Sequence, residues 1–312
     1  MMTLLYIALT IAGCIALAFA FRLLGRSAGT AASRKLFRQM PLTAAFGIFV
    51  ILLYAIVAIG APVIAPYGEA QIFAATNAFP GQVEGHILGT DQIGRDLLTR
   101  LIYGARNTVG IALVTALLTF VLGATLGFLA ATLGGWVDQL LSRTVDVLMA
   151  IPQLIFALLL ITIVGQSTIN MILILAVLDS TRVFRLARAV GVNIVVMDYI
   201  EAAKLRGETL PYLIFREILP NAVAPLLAEF GLRFCFVFLS IAALSFLGVG
   251  IQPPLADWGS MVRDLSGFIN FASINFSLAA LPLMAAGAIA LLTIAVNFVV
   301  DWMLHRSSGL KE

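Results

Sequence analysis

Seven stretches of this sequence are apolar for about the twenty residues that a helix needs to cross a hydrocarbon core of about 30 Å. They run Leu4–Phe21, Ala44–Ala65, Thr108–Thr132, Val145–Val164, Ile169–Ala189, Ala222–Phe246 and Leu278–Val300. Strand-like alternation of apolar and polar residues is weak throughout, so the spacing predicts helices rather than barrel strands. The expected fold class is therefore all-α, a polytopic transmembrane helical bundle. Charge points the same way: 11% of residues are charged and 61% are apolar, where a soluble domain carries about 25% charged residues. A net charge of +3 implies no nucleic-acid partner. Cys14 and Cys235 both lie in apolar runs and read as small buried hydrophobes.

The basic residues set the expected orientation. Arg22, Arg26, Arg34, Lys35 and Arg38 follow the first span. Arg182, Arg185 and Arg188 close the fifth, and Lys204, Arg206 and Arg216 come soon after. His305, Arg306 and Lys311 lie past the last. Seven spans put all of these clusters on one side, which the positive-inside tendency makes the cytoplasm. The N-terminus is then outside and the C-terminus inside. Arg95, Arg100 and Arg106 fall in the outer loop 66–107, but they share it with Asp91 and Asp96, and long loops weigh less in this rule. Ala18-Phe19-Ala20 has the small-residue pattern of a leader cleavage site. No Lys or Arg precedes the apolar run, however, and cleavage would invert every later span, so an uncleaved anchor is expected.

Between the fifth and sixth spans lies Asp198-Tyr-Ile-Glu201-Ala202-Ala203-Lys-Leu-Arg-Gly207, running on to Glu217-Ile218-Leu219-Pro220-Asn221. Physical chemistry predicts a pair of short helices here. Asp198 is a suitable N-cap, and Glu201 stands where a capping box would place it. Gly207 is a natural stop, because the chain past a helix end favours positive φ. Thr209 can start a second helix with Pro211 in its first turn, and Pro220 then punctuates entry into the next span.

This Glu-Ala-Ala, three residues, Gly, then Ile-Leu-Pro pattern resembles the loop of ABC-importer permeases that docks on a cytoplasmic ATPase. Other blocks agree with the dipeptide/oligopeptide/nickel class of those permeases. They are His86-Ile-Leu-Gly-Thr-Asp91 with Gly94-Arg-Asp96, then Gly134-Gly-Trp-Val-Asp138, and Leu244-Ser-Phe-Leu-Gly248 through Pro253-Pro254. The resemblance implies a six-helix permease core preceded by one extra helix, with Glu201, Ala202, Ala203, Gly207, Leu219 and Pro220 coupling it to the ATPase. It also implies the partners: a second homologous permease subunit, two ABC ATPase subunits, an extracytoplasmic substrate-binding protein and the lipid bilayer. The location implied is the bacterial inner membrane. Its division would be an extra transmembrane helix at 1–25, a cytoplasmic basic linker at 26–43, and a permease domain at 44–303. That domain would have periplasmic loops 66–107 and 247–277 and a cytoplasmic coupling loop 190–221, before a tail at 304–312. The sequence departs from the family at Ile241, where a Glu is common, and at Ile87, where a Pro is common.

An ionisable side chain deep in a bilayer needs a reason to be there. Glu229 and Arg233 lie four apart and are expected to pair on one helix face. Asp179 and Arg182 are expected to pair likewise, while Arg185 and Arg188 reach the interface. Asn297 and Asp301 are expected to bond between helices. Pro152, Pro225 and Pro282 are expected kinks, and Gly123, Gly127, Gly134 and Gly135 sites of close helix approach. His86 has no second ligand at metal spacing and is expected to be structural.

The sequence holds no Gly-x-x-x-x-Gly-Lys-[Ser/Thr] loop, no Gly-x-Ser-x-Gly and no His-Glu-x-x-His. The expectation is a non-catalytic translocation subunit without cofactor or metal, with ATP and Mg held by partner ATPases. A stand-alone secondary transporter is the alternative, although the internal repeats and rows of carboxylates such carriers show are not evident here.

Overall fold

The computed structural model describes Gly13 and residues 16–27, 31–271 and 276–307. The expected first span lies largely outside these residues, as does Cys14; residues 16–27 form helix α1. Among the described residues the fold is helical, apart from an isolated bridge between Thr90 and Asp96. Four helices of the described residues are long and apolar enough to cross a membrane: α3 (Leu42–Ile64), α4 (Leu97–Leu133), α9 (Leu210–Phe246) and the Ala280–Arg306 part of α11 (Phe276–Ser307). The pair α5 (Gly135–Ala150) and α6 (Gln153–Val164) makes a fifth if counted as one span. Helix α7 (Thr168–Val195) has 28 residues, about 42 Å at 1.5 Å per residue. It is thus long enough to cross, but it carries Asp179, Arg182, Arg185 and Arg188. Shorter helices are α2 (Ala31–Gln39), α8 (Asp198–Leu205) and α10 (Trp258–Leu265).

Several expected boundaries are corrected. The stretch 26–43 is not a plain linker, because it contains α2 and the start of α3. Arg22 donates to the carbonyls of Phe37 and Arg38 at 3.3 and 3.2 Å, and so caps the C-terminal end of α2, where orphan carbonyls favour a cation. The loop expected at 66–107 ends at Asp96, not Asn107, since α4 starts eleven residues before the expected span. Asp96 is its N-cap and accepts from Thr99 N at 2.7 Å. The expected span Val145–Val164 is two helices bent at the expected Pro152 kink: α5 and α6 meet at 92°. The residue before a proline is pushed out of the helical region, and Ile151 is extended at φ −96°, ψ 134°.

Two of the four glycines work as expected and two do otherwise. Gly123 and Gly127 seat α4 against α7: a Cβ on Gly127 would stand 2.7 Å from Ala187 Cβ and from the Phe184 carbonyl oxygen. Gly134 and Gly135 touch nothing there; both have positive φ, +61° and +55°, and turn the chain between α4 and α5. The expected helix-to-helix bond from Asn297 is also corrected, as its Nδ2 donates to the Thr293 carbonyl of its own helix at 3.0 Å.

The larger core gathers Met171, Leu175, Phe238, Ile241, Leu244 and Trp258. Tyr54 joins α3 to it, donating to the Ala288 carbonyl of α11 at 2.9 Å and meeting the Trp258 ring edge-on at 5.6 Å. One end of the bundle is stitched by polar contacts. A π turn, Ala105–Val109 within α4, presents Asn107 and Thr108. Glu69 Oε1 accepts from Asn107 Nδ2 at 2.6 Å and from Ala256 N at 2.5 Å. Thr108 Oγ1 lies 3.0 Å from Asp257 Oδ1. His86 bonds Asp96 at 2.9 Å between the rings of Tyr67 and Phe73, and Asp91 holds Arg95 at 2.7 Å.

Candidate coupling helix and intramembrane charge cluster

Helix α8 sits at the opposite end of the bundle, between the long helices α7 and α9. Its start differs from expectation. Met197, not Asp198, is the N-cap, and no side chain caps the end, so the capping box does not form. Asp198 and Glu201 instead occupy the first turn and Lys204 the last, each on the side that suits the helix dipole. The stop behaves as expected. Gly207 has φ +77°. Its N–H bonds the Lys204 carbonyl at 3.0 Å, and Glu208 N–H bonds that of Ala203 at 3.2 Å. Those two bonds are a Schellman motif, which ends the helix without orphaned carbonyls.

The second short helix is not separate from the following span. Helix α9 runs from Leu210 through Pro220 to Phe246. A π turn at Leu213–Ile218 lies directly before Pro220. Such a wide turn absorbs a residue that has no N–H to give, so Pro220 does not break the rod. Helix α8 is therefore followed by one continuous helix.

Burial divides the residues expected to couple. Ala203 is fully buried, whereas Glu201, Ala202 and Gly207 face outward. Ile200, which sequence reasoning passed over, is the anchor. It is buried with Phe128 of α4, Ala187 and Ile194 of α7, and Ile214 and Ile218 of α9. The apolar pair Ile200 and Ala203, three apart, was the available signal. The outward face includes Leu205, 84% exposed, with Tyr199 beside the acidic first turn.

Within the bundle, Glu229 and Arg233 pair as expected, Oε1 to Nε at 2.6 Å. Asp179 and Arg182 do not. Asp179, with no exposed surface, accepts from Gln153 Nε2 of α6 at 2.7 Å. Arg182 instead stands over the Phe236 ring at 5.7 Å, and Arg233 stands over the same ring at 4.6 Å. At the end of the bundle near α8, Arg188 pairs with Asp138 and Arg185 with Asp146.

A family model described as "binding-protein-dependent transport system inner membrane component" matches residues 123–308, more than half of the chain. The chain belongs to that family. The dipeptide transport system permease protein of Alkalihalophilus pseudofirmus is 36% identical over 77% of this chain and 79% of its own length. That of Escherichia coli is 37% identical, covering 83% and 86%. The glutathione transport system permease protein of Pectobacterium atrosepticum is 34% identical, covering 74% and 76%. This permease is accordingly a multi-pass inner-membrane subunit of an ATP-driven ABC importer, working with ATPase and substrate-binding partners.

Proposed function

We propose that this permease pairs with a second, homologous permease subunit and carries di- or oligopeptides, or related small solutes such as nickel complexes, into the cytoplasm. Two ATPase subunits hold ATP and Mg and grip α8 through Glu201, Ala202, Gly207 and the exposed Leu205. The chain itself catalyses nothing. Its N-terminus is outside and its C-terminus inside, which places α8 in the cytosol and the Glu69–Asn107 corner outside, facing the binding protein.

The single observation that carries the coupling reading is the lodging of Ile200 of α8 in a core shared by α4, α7 and α9. A push on α8 then moves three spans together. Closure of the ATPase pair on ATP supplies the bias, because ATP favours their closed form over their open one. The substrate assignment draws on the peptide and glutathione permeases named above.

The test is ATP-dependent peptide uptake by the reconstituted complex. Gly207→Pro and Glu201→Arg should abolish uptake and release the ATPases while membrane insertion survives. Normal uptake by an inserted double variant would refute the coupling role. Cysteine labelling that placed α8 outside would refute the orientation. A secondary transporter would move substrate with no ATPase present at all.

A further inference from the structure

Near the midpoint of α7, charged residues of two helices meet a polar residue of a third. Asp179 and Arg182 come from α7, Glu229 and Arg233 from α9, and Gln153 from α6 just beyond its break. Asp179 lies in the electrostatic field of both arginines. The ring of Phe236 stands beneath both guanidinium groups.

This cluster is over-equipped for a purely structural role. Gln153–Asp179 is a hydrogen bond and Glu229–Arg233 an ion pair, yet Arg233 Nε and Nη1 and Asp179 Oδ1 have no hydrogen-bond partner. Their residues are 7% and 0% exposed. A buried donor and a buried acceptor left open is the arrangement that a bound polar ligand completes. Arg182 and Phe236, in contrast, are exposed on this chain. An arginine facing lipid at mid-bilayer is costly, so such residues face a water-filled passage or another protein. A small cavity of about 120 Å³ reaches Gln153, Thr181 and Arg182 beside the α5–α6 break.

The charges balance: two carboxylates, two guanidiniums. A net anion or cation would leave one pair uncompensated in low dielectric. A zwitterion would not.

We infer that Asp179, Arg182, Glu229, Arg233 and Phe236 form a transit station in the translocation pathway for the two charged ends of a free peptide. The guanidiniums of Arg182 and Arg233 take the α-carboxylate, for which a planar fork of N–H donors is matched in shape. Asp179 Oδ1 takes the α-ammonium. The station rests on the reading of this chain as a peptide-importer permease, and it adds a selection step inside the membrane to that of the binding protein.

The test uses the complete importer in proteoliposomes with ATP at the ATPase side. Uptake of Ala-Ala is compared with that of its C-terminal amide and its N-acetyl form. Each ratio is taken within one protein variant and the same binding protein, so the binding protein's own preference cancels between variants. Arg182→Gln should cut Ala-Ala uptake about tenfold, the order expected for one lost charge-assisted bond, and leave the amide unchanged. Arg182→Lys should recover part of the loss. Asp179→Asn should cut Ala-Ala uptake and spare the N-acetyl peptide. Equal losses for all three substrates, or no loss for any, would overturn the station while leaving the importer reading intact. If wild type shows no ATP-dependent uptake of any peptide, the importer reading fails and takes the station with it.

Discussion

Gln153 Nε2 donates to Asp179 Oδ2 at 2.7 Å, joining the first residue of α6 to the middle of α7. The break at Ile151–Pro152 puts Gln153 where it can reach. Leucine at position 153 would leave the carboxylate with no hydrogen bond inside the bundle. An unsatisfied buried acceptor costs about 1–3 kcal/mol. Gln153→Leu should therefore unfold at lower denaturant in mixed micelles, by that amount. Unchanged unfolding would mean that Asp179 has another partner.

Helix α8 has an inner and an outer face, and variants should separate them. Ile200→Ala removes a fully buried side chain from the core beneath α8. Such truncations cost about 2–5 kcal/mol. Amide exchange across residues 198–205 should speed up. Leu205→Asp should leave that exchange alone, since the side chain touches little of this chain, yet reduce co-purification of the ATPases. If both variants altered exchange equally, the division of faces would be wrong.

The glycines of α4 should fail for different reasons. Gly127→Ala forces a Cβ to within 2.7 Å of Ala187 Cβ and should destabilise the bundle, by about 1–3 kcal/mol as overpacking does. A second change, Ala187→Gly, should restore part of that loss in a double-variant cycle. Gly134→Ala has free space around it but a backbone at φ +61°, ψ −157°. Its cost should also be about 1–3 kcal/mol, from strain, and Ala187→Gly should restore none of it. Rescue of both, or of neither, would contradict the packing described.

Acid should firm the corner around Asp257, the N-cap of α10. Burial pushes this carboxyl above its ordinary value of 3.8, against bonds from Ser260, Ser245 and Thr108 that pull it down. A carboxyl whose folded pKa is raised destabilises the fold once ionised. The penalty is absent below pH 3.8 and grows as pH rises from there to the folded pKa. Opening of residues 256–265, read by Trp258 fluorescence or amide exchange, should increase over that window. In Asp257→Asn the dependence should flatten. A wild-type corner that loosened on acidification would reverse the sign and refute the assignment.

Much of the bundle was legible in sequence because membrane spans are local objects. A run of Leu, Ile, Val, Ala and Phe of bilayer length states its own solvent, and six of the seven runs lie on helices in the described residues. Gly207 was equally legible, since a helix stop with positive φ depends on one residue and its own backbone. The start of α4 was missed although Asp96-Leu-Leu-Thr99 carried a cap signal, because the span was sought by apolarity alone.

Partners across helices were not legible. Spacing favoured Asp179 with Arg182, one turn apart, whereas the structure joins Asp179 to Gln153, 26 residues away. The same holds for Ile200, whose anchoring role exists only once α4, α7 and α9 converge on it.

By itself, then, the sequence determined the helical class, most of the apolar runs long enough to cross a membrane, the place of the turn at Gly207 and, through its motif pattern, the family. Only the tertiary structure decided which faces of those helices meet and which charges share a site. The physical reason is that burial length and turn chemistry are properties of neighbouring residues. Rotation and tilt of one helix against another are settled by packing between segments far apart in the chain.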